Sequence, residues 1–205
     1  MALRLVSDLD GVVFDLAESL RHWLVDHCGW DRGRLPEARS WDFFSSEWGM
    51  ARQEFERHCD EGVDAGVLFR HGPALPGAIS TLADLTAAGH SIHFCTARDF
   101  GSRSERNTAE WLAEHGVSYD AITFTSNKTT VAGDLLLDDW IVNYRAVQRA
   151  GTAVPVLMHQ LWNSDENARR VRSWGEFAGL VASLDGGPVT AATVDAALAD
   201  LPAAA

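Results

Sequence analysis

The chain has 205 residues, 46 % of them apolar, and a formal net charge of -12. That length holds one full core domain with a modest insertion, or two small domains. The acidic balance argues against a nucleic-acid polymer or an anionic membrane as the main partner, because either needs a basic face. It also leaves an anionic substrate dependent on a metal ion and a few local cations.

In chain order, Leu3 to Val6 is an apolar run that reads as a buried strand, and it ends at Asp8-Leu9-Asp10-Gly11. Open parallel sheets bind ligands at the carboxyl ends of their strands, so these two carboxylates stand where a site is expected. Asp15 to Glu18 has capping-box spacing and opens a helix carrying Leu20, Trp23, Leu24 and His27. From Cys28 to Ser46 the pattern breaks into glycine, proline and aromatics, and a second helix is expected from Trp48 to about Asp60. Four of the eight tryptophans fall between positions 23 and 48, a density that suits either the core of a small helical unit or a stacking surface for a ring. Gly72 to Gly77 marks the return to the main domain.

A helix on Ile79, Leu82 and Leu85 follows, then a strand over Ser91–Cys95 that runs into Thr96-Ala97-Arg98-Asp99. A further capping box at Ser102 to Glu105 opens a helix through Trp111 and Leu112. Ala121 to Phe124 is a short strand with Lys128 just beyond it. Leu135 to Leu137 is another apolar run, stopping at Asp138-Asp139. A helix on Ile141, Tyr144 and Val147, a strand over Val154–Met158 and a helix opened by Ser173 to Glu176 complete the pattern. This alternation means a parallel sheet with helices on both faces. The Ala-rich tail reads as a final helix on Val194, Leu198 and Leu201, or as a mobile end.

Four strand ends therefore bring Asp8 and Asp10, Thr96, Lys128, and Asp138 and Asp139 to one sheet edge. A hard divalent cation such as Mg²⁺ takes oxygen ligands, which carboxylates from two neighbouring strands supply. Lys128, the Thr96 hydroxyl and the backbone N–H groups after it, beginning at Ala97, suit the oxygens of a phosphoryl group. In an extended segment residues i and i+2 point the same way, so Asp8 and Asp10 face one substrate. Asp8 suits attack on phosphorus and Asp10 suits proton transfer to the leaving oxygen and from water.

In this order, Asp8-Leu9-Asp10-Gly11-Val12, Thr96, Lys128 and Leu136-Leu137-Asp138-Asp139 resemble the four motifs of the haloacid dehalogenase (HAD) superfamily of phosphatases. Lys128 to Asp139, Leu75-Pro76-Gly77-Ala78 and Arg172-Ser173-Trp174 are more closely similar to the 5'(3')-deoxyribonucleotidase family, over roughly residues 2 to 182. The resemblance implies a HAD-like Rossmannoid α/β fold with a small helical cap inserted after the first strand. The expected division is a core of residues 1–14 and 75–185, a cap of 15–74 and a tail of 186–205. It further implies an aspartyl-phosphate mechanism on a small phosphorylated substrate, with a (deoxy)nucleoside monophosphate as the expected one. Mg²⁺ would be held by Asp8, the Asp10 carbonyl oxygen and the acidic pair, with Asp139 as the direct ligand and Asp138 behind it or on water.

Trp41, Phe43 and Phe44 resemble the aromatic stretch that the family's cap lays over a base, and Arg98 is a candidate substrate contact, or else pairs with Asp99 or a neighbouring acid. The chain departs from that family at Ala97-Arg98, at Ser126-Asn127 and at Leu16, where an aromatic is expected. A sugar-phosphate phosphatase is the alternative within enzymes. A receiver-like domain places its phosphorylated Asp on a middle strand and lacks the insertion, and a non-catalytic binder would not need every chemical position filled. Cys28, Cys59 and Cys95 are odd in number and show no metal-ligand spacing, no apolar run reaches membrane length, and no signal segment is expected. A cytoplasmic protein is the expectation, with no membrane partner and room for a homodimer.

Overall fold

The computed structural model describes residues 2–184 and 186–201. Positions 1 and 185 of the expected core, and 202–205 of the expected tail, lie outside the described residues. In chain order the elements are β1 (Arg4–Ser7), α1 (Leu16–Cys28), α2 (Phe43–Ser46), α3 (Arg52–Asp64), α4 (Ala78–Ala87), β2 (Ser91–Thr96) and α5 (Ser104–Glu114). They continue with β3 (Ala121–Phe124), β4 (Leu135–Asp138), α6 (Ile141–Ala150), β5 (Val154–Met158), β6 (Arg170–Val171), α7 (Trp174–Ser183) and α8 (Ala191–Ala199).

The strands form one six-stranded sheet in the order β3-β2-β1-β4-β5-β6, and every neighbouring pair is parallel. The apolar runs alternate between two covered faces, as a doubly wound sheet requires. Leu5, Leu135, Leu137 and Val156 join the large core with Leu82 and Leu85 of α4 and Phe177 and Leu180 of α7. Val6, Cys95 and Leu136 turn to the other face and meet Val147 of α6. α8 packs on α7 through Val194, which is fully buried.

The long excursion after β1 leaves and returns at one place. The Asp15 N–H donates to the Pro73 carbonyl (3.0 Å), and the Leu75 N–H donates to Val13 (2.8 Å). Within it α1 packs on α3, and Phe43, Phe44, Trp48 and Phe55 form an aromatic cluster in which Phe44 and Phe55 stack at 4.3 Å. The expected helix from Trp48 is corrected to Arg52–Asp64. Gly49 sits at φ 64°, a left-handed conformation that ends helical propagation, and the Met50 N–H is taken by the Phe44 carbonyl.

The capping box at Ser102 is a second correction. Arg103 precedes α5 without a side-chain cap, because the Ser102 hydroxyl and N–H both bond to Asp64 of the inserted segment (2.8 and 2.6 Å). The two-residue strand β6 had no sequence signal.

Trp174, at the start of α7, is fully buried and donates its indole N–H to the Val12 carbonyl at 2.8 Å. Substituting Trp174→Phe leaves that buried carbonyl unpaired, and is expected to lower the unfolding free energy by about 1–3 kcal/mol, read from the denaturant midpoint.

Candidate active site

β1 and β4 are adjacent, so the residues that follow them meet. Ser7 is paired with Leu137, and the Asp8 N–H donates to the Leu137 carbonyl at 2.9 Å. Asp8, Asp138 and Asp139 each bring a carboxylate oxygen within 4.8 Å of the others, and all three residues are buried. Lys128 opens a 3-10 turn beyond β3 that Asn127 caps. Its ammonium lies 2.8 Å from Asp8 Oδ1 and 3.9 Å from Asp138 Oδ2, and it donates to the Cys95 carbonyl at the end of β2.

The carboxylates differ in how they are satisfied. Asp138 accepts the Trp140 N–H at 2.8 Å and the Asn143 side-chain amide at 3.0 Å, so both its oxygens are occupied. Asp139 Oδ1 is buried without any partner, as is the Thr96 hydroxyl at the end of β2. Buried polar atoms are nearly always paired, so an orphaned carboxylate oxygen and an orphaned hydroxyl at one sheet edge mark places for ligand atoms. Three carboxylates facing one ammonium form an oxygen donor set that fits a hard divalent cation.

Electrostatics follow from that crowding. Burial, with Asp10 as a further cause, raises the Asp8 pKa against the opposing pull of Lys128. Burial and Asp8 push Asp138 up to about 7. Burial, then Asp138 and Asp8, hold Asp139 well above its ordinary value. Burial opposes the charge on Lys128, yet Asp8 and Asp138 outweigh it and raise its pKa.

The loop from Leu9 to Phe14 turns back on itself, with the Gly11 N–H donating to the Phe14 carbonyl (2.9 Å). Gly11 has φ 72°, and a Cβ there would overlap the Asp139 carboxylate. Only glycine permits both the turn and that approach.

Asp10 lies apart from the buried cluster. Its side chain is 23 % exposed and lines the cleft, and Arg98 holds it in an ion pair at 2.8 Å. Arg98, expected as a substrate contact, is buried, with Phe14 and Phe69 over its guanidinium at 4.5 and 4.3 Å. Ala97 beside it is exposed.

A cleft of about 710 Å³ opens between the sheet edge and the inserted segment. Asp10, Gly11 and Asp139 line its floor, and Trp41, Phe43, Phe44 and Phe55 line its walls. Phe43 and Phe44 are otherwise buried in the aromatic cluster, whereas Trp41 is 48 % exposed and stacks flat on Trp140 at 4.7 Å. Trp140 directly follows the acidic pair.

Three supporting residues escaped sequence reasoning. Asn143 orients Asp138. Asn163 donates to the Asp139 and Met158 carbonyls (2.7 and 2.9 Å), and Gln160 donates to the Gly11 carbonyl (2.6 Å). Only Asn143 had a signal, as a polar residue on the buried side of the helix after the acidic pair.

A parallel sheet with this order, an acidic cluster at its carboxyl edge and an excursion after β1 define a HAD-type hydrolase, a phosphoric monoester hydrolase by class. The fold is shared with a HAD-family hydrolase from Deinococcus radiodurans (TM-score 0.56, 15 % identity, 91 % of this chain and 97 % of that one). A HAD-superfamily hydrolase from Ehrlichia chaffeensis is similar (TM-score 0.55, 11 % identity, 90 % and 98 %). Residues 2–184 match the family described as "5' nucleotidase, deoxy (Pyrimidine), cytosolic type C protein", and the chain belongs to that family. A Chlorobaculum tepidum protein provisionally named a 5'(3')-deoxyribonucleotidase is 31 % identical over 137 residues, covering 64 % of this chain and 67 % of that protein.

A carboxyl group that holds its proton more tightly when folded stabilises the fold at low pH and loses that contribution as pH rises through its folded pKa. For Asp138 the window runs from 3.8 to about 7. The metal-free protein is therefore expected to melt at a lower temperature near about pH 8 than near about pH 5.5. Asp139→Asn, which removes one crowded charge, is expected to flatten that slope in thermal melts.

Proposed function

We propose that this chain is an Mg²⁺-dependent phosphomonoesterase that works through an aspartyl-phosphate and takes (deoxy)nucleoside monophosphates as substrates. The observation that carries the reading is the buried Asp8, Asp138 and Asp139 cluster, charge-paired with Lys128 under an aromatic-walled cleft. Membership of the nucleotidase family supports the phosphomonoester class, and the Chlorobaculum relative's name supports the nucleotide.

In this reading Asp8, with a carboxylate oxygen at the head of the cluster, attacks phosphorus and the ester P–O bond breaks. Asp10, facing the cleft from two residues on, gives its proton to the leaving alcohol oxygen. Asp10 then takes a proton from the water that attacks the acyl phosphate, and the P–O bond to Asp8 breaks to release inorganic phosphate. Lys128 pairs Asp8 and meets phosphoryl charge. The unpartnered Thr96 hydroxyl and the backbone at Ala97 take phosphoryl oxygens. Asp8, the Asp10 carbonyl and Asp139, whose free oxygen is in place, would hold Mg²⁺, with Asp138 fixed behind them by Asn143. Bound there, the ion supplies Lewis-acid neutralisation of phosphoryl charge.

Residues 15–74 act as a cap on the core of 1–14 and 75–185 and set substrate choice through the walls of the cleft, with Trp41, Phe43 and Phe44 as its aromatic face. Three free cysteines fit a reducing cytoplasm. No helix of the described residues is long and apolar enough to cross a membrane.

Phosphate release from a panel of nucleoside monophosphates and sugar phosphates, with and without Mg²⁺, tests the reading, and higher kcat/KM for the sugar phosphates would replace the nucleotide. Asp8→Asn is expected to abolish release, and Asp10→Asn to lower kcat by about 10²- to 10⁴-fold. Mg²⁺ is expected to raise the melting temperature of the wild-type protein and to leave that of Asp139→Asn nearly unchanged.

A further inference from the structure

Arg98 is the most tightly held group at the cleft. It stands two residues beyond Thr96, its side chain has no exposure, and its donors are taken up by Asp10, 88 residues earlier, and by Thr108 of α5. Nη2 donates to Asp10 Oδ1 at 2.8 Å, and Nε donates to Oδ2 at 3.0 Å and to Oδ1 at 3.2 Å. Nη1 donates to the Thr108 hydroxyl of α5 at 3.0 Å. Two rings set edge to face lie against the guanidinium, Phe14 from the loop after β1 and Phe69 from the end of the inserted segment.

Phe69 is itself unusual. Its φ of 63° makes it the one non-glycine residue with positive φ among the described residues, and its ring is buried. Such a conformation is strained and persists only where the surroundings enforce it. Asn107 of α5 supplies that enforcement nearby, donating to the Val63 and Leu68 carbonyls. The whole arrangement fixes one guanidinium in place, and that guanidinium grips the carboxylate that faces the cleft. A planar fork holds a carboxylate in one rotamer far more tightly than a point charge does.

We propose that Arg98 is a positioning residue for Asp10, fixing the orientation in which its carboxyl group meets first the leaving oxygen and then the attacking water. The inference rests on Asp10 as the proton-transfer group. The fork grips both oxygens, Oδ1 through Nη2 and Nε and Oδ2 through Nε alone, and Oδ2, with the single contact, keeps a lone pair for the travelling proton. That proton passes from Oδ2 to the leaving alcohol oxygen as the ester bond breaks. It is regained from water as the acyl phosphate is hydrolysed. Arg98 touches neither reactant, and its effect is on where Asp10 stands.

The test compares Arg98→Met, Arg98→Lys and Asp10→Asn in the Mg²⁺-supplemented protein, each checked for folding by circular dichroism. Two substrates are used: a nucleoside monophosphate, whose alcohol must be protonated as it leaves, and p-nitrophenyl phosphate, whose phenolate leaves without a proton. Both Arg98 variants are expected to lower kcat on the nucleotide, Met by about 10²-fold and Lys by less, with KM within about twofold. On p-nitrophenyl phosphate the first turnover stays fast, so Arg98→Met releases a burst of one p-nitrophenolate per site followed by slow turnover. Equal losses on both substrates with no burst would assign Arg98 a merely structural role and overturn the proposal. If Arg98→Met does not fold, Arg98→Lys, which keeps the charge without the fork, decides: wild-type kcat in a folded Arg98→Lys overturns it. Wild-type kcat in Asp10→Asn would overturn the reading beneath. An inactive Asp10→Asn beside unaffected Arg98 variants overturns the positioning role alone.

Discussion

The buried ammonium of Lys128 is the group on which the sheet edge depends. It stands 2.8 Å from Asp8 and 3.9 Å from Asp138, at a place where β1 and β4 would otherwise bring carboxylates together with nothing to offset them. A buried charge is tolerated only when it is paired and hydrogen-bonded, and Lys128 meets that condition with two carboxylates and the Cys95 carbonyl. One ammonium cannot neutralise three carboxylates, however. The remainder appears as the raised pKa of Asp138 and Asp139 and as the unpartnered oxygen of Asp139. Stability is given up at this edge, a trade that active sites commonly make.

Much of the fold was legible because a buried parallel strand has few ways to be written. Leu3 to Val6, Leu135 to Leu137 and Val154 to Met158 are apolar runs ended by polar residues or glycine, and each is a strand. The places where reading failed share a cause. Ser102 has the right spacing for a cap, but Asp64, 38 residues earlier in the chain, competes for its hydroxyl and N–H. The helix expected at Trp48 waits for Arg52 because Gly49 turns left-handed. β6 has only two residues and pairs with β5 alone, too short a stretch to leave a pattern.

The site divides along the same line. Asp8, Asp10, Thr96, Lys128 and the acidic pair were visible because strand ends in a parallel sheet converge, whatever else the chain does. The contacts that orient them were hidden. Arg98 lies 88 positions from the carboxylate it grips, and Gln160 lies 149 from the carbonyl it holds. A sequence announces which groups arrive at an edge through local pattern, but the hydrogen bonds that aim them depend on loop paths that no local pattern encodes. Trp41 shows the same limit: its aromatic character was plain, and its stacking on Trp140 was not.

The doorway of the inserted segment has a consequence for how such a protein can be rebuilt. Because Asp15 and Leu75 are hydrogen-bonded to Pro73 and Val13 on either side of the same gap, the segment begins and ends on neighbouring backbone, like a loop tied at its base. A foreign segment of different length could be spliced between those points without moving a strand, since loop length carries little thermodynamic penalty. Conditions travel with the graft. The incoming segment must return a ring to the place of Phe69, because a bare guanidinium beneath it would be exposed on one face. It must also return a carboxylate to the place of Asp64, which holds Ser102, and carbonyls to the places of Val63 and Leu68, which hold Asn107.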